Sequence, residues 1–389
     1  MSGTRPEDRT EPASVSGEAA AAILQGGGVV LVPTDTVYGL AVNAQGPGLG
    51  RLHAALGGGG GGASALALHL DSAERLRSLF GPFAPGHERV IERLLPGPVL
   101  LAIARDAEGL ARARSAVGVG AGVIDEGGEV LVRVPSNAAA REVLAAACDD
   151  GQAVVMAGLA RGARGERLET SAAAAEAARA SAPALVIDAW VDSERPPLGM
   201  GSTMVRLTKG GGYRVVREGV LSAAAIDDRL VDTVVFVCTG NTCRSPMAEA
   251  IARHMLSKGG EPDPFIRVRS AGVSAYPGQV ATPEGVEALR SMGIEAEPHR
   301  SSGLSREMIR GARAVFAMTR AHAQAARELD PASADKIRVL DPLGADVPDP
   351  IGSPLGVYQE TARTIAKFVE ARLGELGLVN RPGAGAERH

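Results

Sequence analysis

The run Cys238-Thr239-Gly240-Asn241-Thr242-Cys243-Arg244-Ser245-Pro246 gathers a thiol, a glycine turn, a guanidinium and a hydroxyl in one short loop. A thiolate is a strong nucleophile, and a ring of backbone N–H groups lowers the cost of forming it. Arg244 can curl back and grip two oxygens of a phosphoryl group through its planar fork. Ser245 can hydrogen-bond the thiolate and help it leave later. Pro246 suits a first helical turn, where a missing N–H is harmless. A bare Cys-x5-Arg is more often a buried cysteine beside a surface arginine. The flanking elements decide between the readings.

Those elements are a strand and a helix. Val234-Val235-Phe236-Val237 is apolar throughout, as expected of a strand covered on both faces. A helix is expected from Pro246 to Ser257, with Ala248, Ile251 and Met255 as its buried stripe and Gly259-Gly260 ending it. Further strands are expected at Ile266–Arg269, Ala314–Met318 and Lys336–Leu340, and helices at Pro283–Met292 and Val357–Leu376. Strands alternating with helices predict a doubly wound parallel sheet. The cysteine loop then lies at the carboxyl end of a strand, where such sheets bind ligands, and at a helix N-terminus, which favours an anion. Thr239, Gly240, Asn241, Thr242, Cys243 and Ser245 form the expected phosphate cradle, with Cys238 as nucleophile and Arg244 as clamp.

This segment resembles the low-molecular-weight protein-tyrosine-phosphatase family, whose signature is a strand followed by Cys-x5-Arg-Ser. Further landmarks follow in order: Arg269-Ser270-Ala271-Gly272-Val273, His299-Arg300-Ser301-Ser302, Ala317-Met318-Thr319 and Asp349-Pro350. The resemblance implies a cysteinyl-phosphate intermediate, no cofactor and no metal, a phosphorylated protein as partner, and a late Asp-Pro as general acid. Asp349 is the expected acid. Asp341-Pro342 is a rival with the same local pattern, but it directly follows a strand, whereas Asp349 precedes the final helix. Cys243 is either a small buried side chain or, as the family often uses that position, a resolving thiol for oxidised Cys238.

Tyrosine-directed members usually carry a bulky aliphatic residue at the position of Thr242 and aromatics just after the Asp-Pro. Here those positions hold Thr242 and Ile351. The loop resembles the protein-arginine-phosphatase branch, which implies phosphoarginine as substrate, ahead of phosphotyrosine or a small phosphorylated metabolite.

The first half reads as a separate α/β region. Strands are expected at Val29–Val32, Leu66–Leu70, Val99–Ile103, Val186–Asp188, Thr203–Leu207 and Tyr213–Val216, and helices at Ser72–Leu79, Glu88–Leu94 and Asn137–Ala147. Val30-Leu31-Val32-Pro33-Thr34-Asp35-Thr36-Val37-Tyr38-Gly39-Leu40 resembles the YrdC-like threonylcarbamoyl-AMP synthase family. Leu95-Pro96-Gly97-Pro98, Val132-Arg133-Val134-Pro135, Gly201-Ser202-Thr203-Met204-Val205 and Arg217-Glu218-Gly219 follow in the family's order. The resemblance implies a mixed twisted sheet and a nucleotide or double-stranded RNA partner, with Thr34, Asp35, Thr36, Ser202 and Arg217 as a residual ligand site. Thr34-Asp35-Thr36 could equally be a turn kept for folding. Two family pieces are missing. The glycine run Gly57–Gly62 stands where a Lys-x-Arg is expected, and Val155-Met156-Ala157-Gly158-Leu159-Ala160-Arg161-Gly162 stands where a Ser-x-Asn segment is expected. Both losses strike the ATP site, which predicts a degenerate synthase.

The expected organisation is a tail over 1–14, a YrdC-like domain over 15–222, a linker over 223–231, a phosphatase domain over 232–380 and a tail over 381–389. The expected function is a phosphoprotein phosphatase; the alternatives are a threonylcarbamoyl-AMP synthase and a nucleotide- or RNA-binding module that targets the phosphatase. Composition is compatible with this. Net charge is −4 and aromatics are 3%, so neither a basic field nor stacking platforms argue for nucleic acid. Gly (50) and Pro (24) fill about a fifth of the chain, below the share that marks low-complexity proteins. Three cysteines are too few for a disulfide framework and point to a reducing cytoplasm. No apolar run is long enough to predict a membrane span.

Overall fold

The computed structural model describes residues 13–55, 66–148, 152–159, 167–195, 197–257 and 263–379. The Gly57–Gly62 run, Ala160-Arg161-Gly162, Gly259-Gly260, the C-terminal tail and residues 1–12 lie outside them. Chain contacts divide into two units, Met1–Leu230 and Val231–His389.

The second unit is built on a four-stranded sheet, every pairing parallel, in the order Ile266–Gly272, Asp232–Cys238, Ala312–Ala317, Ile337–Val339. The central strand Asp232–Cys238 explains the layering. Val234 and Phe236 point to one face, where they meet Met247 and Ile251 of the helix Arg244–Leu256 and Ile365 and Val369 of the helix Leu355–Glu375. Val235 and Val237 point to the other, against Ile309, Ala323 and Ala326. Alternate side chains of a strand serve opposite faces, so a strand buried on both must be apolar at every step. The crossovers that follow Asp232–Cys238 and Ala312–Ala317 run in opposite directions, so the carboxyl ends of these two neighbouring strands make a topological switch point. Cys238 is its last residue.

The first unit holds a mixed sheet of eleven strands among the described residues. Its middle runs Val29–Pro33, Tyr38–Asn43, Val154–Leu159, Ala67–His69, Glu129–Arg133, Val99–Ala104, Thr203–Leu207, with parallel and antiparallel pairs interspersed. Leu24 of the helix Gly17–Gln25 and Val143 and Leu144 of the helix Ala138–Ala147 pack with Val30, Val32 and Met156 in one apolar cluster.

Four expectations need correction. Ala13–Ser14, assigned to the tail, pairs in parallel with Ala189–Trp190. The strand expected at Val186–Asp188 begins at Ala189. The Asp188 side chain accepts the Val29 N–H at 2.7 Å, taking the place of a ladder carbonyl. The linker expected at 223–231 is largely the helix Ala223–Leu230, which closes the first unit. Ile226 and Leu230, four residues apart, share a face and are both fully buried, so this segment is held by packing. The helix after the cysteine loop starts at Arg244, before Pro246, so clamp and hydroxyl belong to its first turn.

Candidate active site

Cys238 is buried at the strand end with its Sγ 3.0 Å from Ser245 Oγ. The Asn241 backbone N–H donates to the same sulfur at 3.3 Å. Asn241 Nδ2 donates to Ser245 Oγ at 3.0 Å, and Ser245 Oγ also lies 3.3 Å from the Ala271 carbonyl, so its one proton serves that carbonyl or the sulfur. Nδ2 also donates to Ser270 Oγ at 2.8 Å, and Oδ1 accepts the Ser302 N–H at 2.9 Å. His299 Nε2 bonds the Asn241 carbonyl at 2.7 Å. Asn241 has φ +56, the one non-glycine positive φ among the described residues. That strained turn is what folds the loop's backbone around the thiol, and the side-chain bonds hold it there.

Arg244 is buried and reaches across to the loop before the final helix. Its Nη1 donates to the Val347 carbonyl at 3.0 Å and its Nη2 to Asp349 Oδ2 at 2.5 Å. Asp349 is half-exposed, and its Oδ1 also accepts the Ile351 N–H at 3.3 Å. The rival Asp341 is buried and spends its Oδ1 on the Leu343 N–H at 2.8 Å. The structure thus brings Cys238, Arg244, Ser245 and Asp349 together and leaves Asp341 in a turn of its own. Thr242 is half-buried, and its carbonyl accepts the Thr282 N–H at 2.9 Å. Cys243 is buried, its Sγ 3.6 Å from Thr242 Oγ1 and 3.9 Å from the Tyr358 hydroxyl, whose pKa burial pushes up.

Two further residues escaped the sequence reading. His322 lies 2.8 Å by Nε2 from Thr239 Oγ1, and nothing in its surroundings in the sequence marks it. Tyr276 carries an exposed ring on the loop after Gly272, and Ser274 of the same loop donates to the Thr239 carbonyl at 3.0 Å. The position after Asp349-Pro350, where tyrosine-directed relatives carry aromatics, holds the exposed Ile351.

In the first unit, Thr34 Oγ1 accepts the N–H groups of Thr36 (3.3 Å) and Val37 (3.2 Å), a hydroxyl-braced turn between the strands Val29–Pro33 and Tyr38–Asn43. Thr36 Oγ1 lies 3.2 Å from Ser202 Oγ, and Arg217 Nη2 donates to the Ser202 carbonyl at 3.5 Å. Asp35 is ion-paired with the buried Arg133 and accepts from Ser136 Oγ at 3.0 Å. Arg133 entered the sequence reading only as a landmark. The Val155–Leu159 stretch, expected at the Ser-x-Asn position, is strand, paired antiparallel with Tyr38–Asn43.

A strand ending in a buried thiol, an anion cradle and an arginine joined to an aspartate define a cysteine-dependent protein phosphatase, and comparison with known proteins gives the family. Residues 233–378 match the family described as low molecular weight phosphotyrosine protein phosphatase, and residues 22–219 match the Sua5/YciO/YrdC family, described as telomere recombination. The chain belongs to both families, as a fusion of the two. It is 42% identical over 132 residues to the protein-arginine-phosphatase of Bacillus subtilis, covering 33% of this chain and 85% of that protein. It is 38% identical to the protein-arginine-phosphatase of Geobacillus stearothermophilus, covering 36% and 93%. It is 32% identical to the probable low molecular weight protein-tyrosine-phosphatase EpsP of Ralstonia nicotianae, covering 36% and 94%. Among the described residues no helix is long and apolar enough to cross a membrane.

Proposed function

We propose that the second unit hydrolyses phosphoarginine in proteins through a cysteinyl-phosphate. The observation that carries the chemistry is the Ser245 hydroxyl and the Asn241 N–H gathered on Cys238 Sγ, with Arg244 of the same loop joined to Asp349. The arriving phosphoryl group takes the Arg244 fork from Asp349, and the freed carboxylate takes up a proton from solvent. Sulfur attacks phosphorus, the P–N bond breaks, and Asp349 gives its proton to the leaving guanidine nitrogen. Asp349, now a carboxylate, takes a proton from water as the water attacks phosphorus. The P–S bond breaks and Cys238 returns as thiolate. Asn241, Thr239, Gly240, Thr242, Cys243 and Ser245 supply the cradle around the phosphoryl oxygens.

The substrate class rests on Thr242, whose small hydroxyl side chain leaves room for a guanidine, and on the similarity to two protein-arginine-phosphatases. Phosphotyrosine is the second reading, favoured by the exposed Tyr276 ring. Hydrolysis of phosphoarginine and phosphotyrosine proteins measured side by side decides between them. Thr242→Ile adds apolar bulk and removes the hydroxyl, so we expect the ratio of kcat/KM, phosphoarginine over phosphotyrosine, to fall at least about tenfold. An unchanged ratio, or a wild type that already prefers phosphotyrosine, hands the site to the tyrosine reading.

We assign Cys243 the role of resolving thiol. Peroxide converts Cys238 to a sulfenic acid, and the Cys243 thiol displaces water to give a disulfide, short of irreversible oxidation. Mild peroxide should therefore cause a loss of activity that dithiothreitol reverses in the wild type but not in Cys243→Ser. Equal irreversible loss in both removes the role. This chemistry suits a reducing cytoplasm.

For the first unit we propose a degenerate synthase without activity. Asp35 is engaged by Arg133 and Thr34 by its own turn, and neither Met156 nor Gly158 offers a polar side chain to a nucleotide. Thr36, Ser202 and Arg217 are the residues with which a retained nucleotide or RNA would be held.

A further inference from the structure

Thr239 follows the nucleophile, and its side chain is exposed at the mouth of the cradle. Its hydroxyl is not left to rotate. His322, on the first turn of the helix Arg320–Leu329, holds Oγ1 at 2.8 Å through Nε2. The imidazole is itself fixed. It is 7% exposed, and its backbone N–H is capped by Thr319 Oγ1 at 3.2 Å. The other ring nitrogen, Nδ1, is buried and has no hydrogen-bond partner. A proton on Nδ1 would be a buried donor without an acceptor, so the neutral ring carries its proton on Nε2 and donates to Thr239. Burial and then the Arg244 guanidinium hold the ring below its ordinary pKa of 6.5, against the pull of Asp349 and Asp346.

A threonine hydroxyl has one proton and two lone pairs. With one lone pair taken by His322, one proton and one lone pair are left at the mouth. The proton suits a phosphoryl oxygen. The lone pair suits an N–H, which a phosphoarginine side chain has and an aryl phosphate lacks.

We propose that Thr239, oriented by His322, is a specificity-determining residue that accepts a hydrogen bond from the substrate guanidine, with His322 as its positioning residue. This rests on the phosphoarginine reading above. Thr239→Val keeps the shape and removes the hydroxyl. We expect it to lower the phosphoarginine-to-phosphotyrosine ratio of kcat/KM about tenfold, the scale of one hydrogen bond lost. His322→Leu should lower the ratio to a similar degree, and the double variant should add little to either single one. His322→Gln, whose side-chain amide can place an N–H near the position of Nε2, should restore most of the ratio. A merely structural histidine predicts no such rescue and no change of ratio. Ratios within about twofold of wild type in both Thr239→Val and His322→Leu overturn the proposal while leaving the phosphoarginine reading standing. A wild type inactive on phosphoarginine overturns both.

Discussion

Asp349 and Asp341 share one local pattern, aspartate then proline, and differ in what surrounds them. Asp341 is buried and turned onto its own loop, whereas Asp349 is half-exposed and joined to the clamp. An acid must reach the leaving atom, and the half-exposed position beside the clamp supports the assignment we propose for Asp349. Asp349→Asn should slow turnover of poor leaving groups by about a hundredfold or more, and slow an activated aryl phosphate far less. Asp341→Asn should do neither. Cys238→Ser should abolish turnover yet still bind vanadate or phosphate, because the cradle and Arg244 survive. Steady-state kinetics on both substrate types checks the set, and the reverse pattern in the two aspartate variants would move the acid to Asp341. Cys238, Arg244 and Ser245 could be picked out of the sequence because the loop is contiguous. His322 could not, since a lone histidine on a helix is usually a core residue and only the chain's return path brings it to Thr239.

At the scale of elements, the central strand Asp232–Cys238 announced itself by an unbroken apolar run with a polar loop at its end. The hairpin strand Tyr38–Asn43 did not. All six of its residues are buried, so it lacks the alternation that marks a half-exposed strand, and Gly39 weakens its strand propensity. The short strand Ala67–His69 carries a consequence for acid stability. His69 is buried, its Nδ1 2.8 Å from the Ala67 carbonyl, and burial followed by the neighbouring Arg133 guanidinium lowers its pKa from 6.5 to about 3. The unfolded chain takes up this proton near pH 6.5 and the folded unit does not until far lower pH. Folding is therefore favoured above that window and loses up to about 1.4 kcal/mol per pH unit as pH falls below 6.5. Thermal unfolding at pH 7 and pH 5 should show the first unit's midpoint dropping, and His69→Gln should lessen the drop. An equal drop in wild type and variant would mean that other groups carry the acid sensitivity.

At the scale of the molecule, two families meet in one chain, each with its own sheet and core. The order of motifs made both units legible, while their limits were misplaced where packing decides. Ala223–Leu230 reads as polar and small, and only the buried pair Ile226 and Leu230 ties it to the first unit. The division of labour is testable on the whole chain. Given threonine, bicarbonate and ATP, it should release no pyrophosphate above background, while the same preparation removes phosphate from a phosphorylated protein. Pyrophosphate release that depends on threonine would make the first unit a working synthase and return the fusion to two enzymes.

The left-handed turn at Asn241 has a thermodynamic corollary. A backbone in that region is disfavoured for an asparagine by roughly a kilocalorie per mole, and here Ser245, Ser270, Ser302 and His299 together offset it. The conformational entropy of shaping the loop is thus lost when the chain folds, not when the anion arrives. Phosphate enters a mould already set, so its binding enthalpy comes undiluted by ordering, and inorganic phosphate, the product, competes with substrate on nearly equal terms for the same oxygen contacts. The rigidity that readies the site for its first step therefore also makes it prone to inhibition by the last thing it releases.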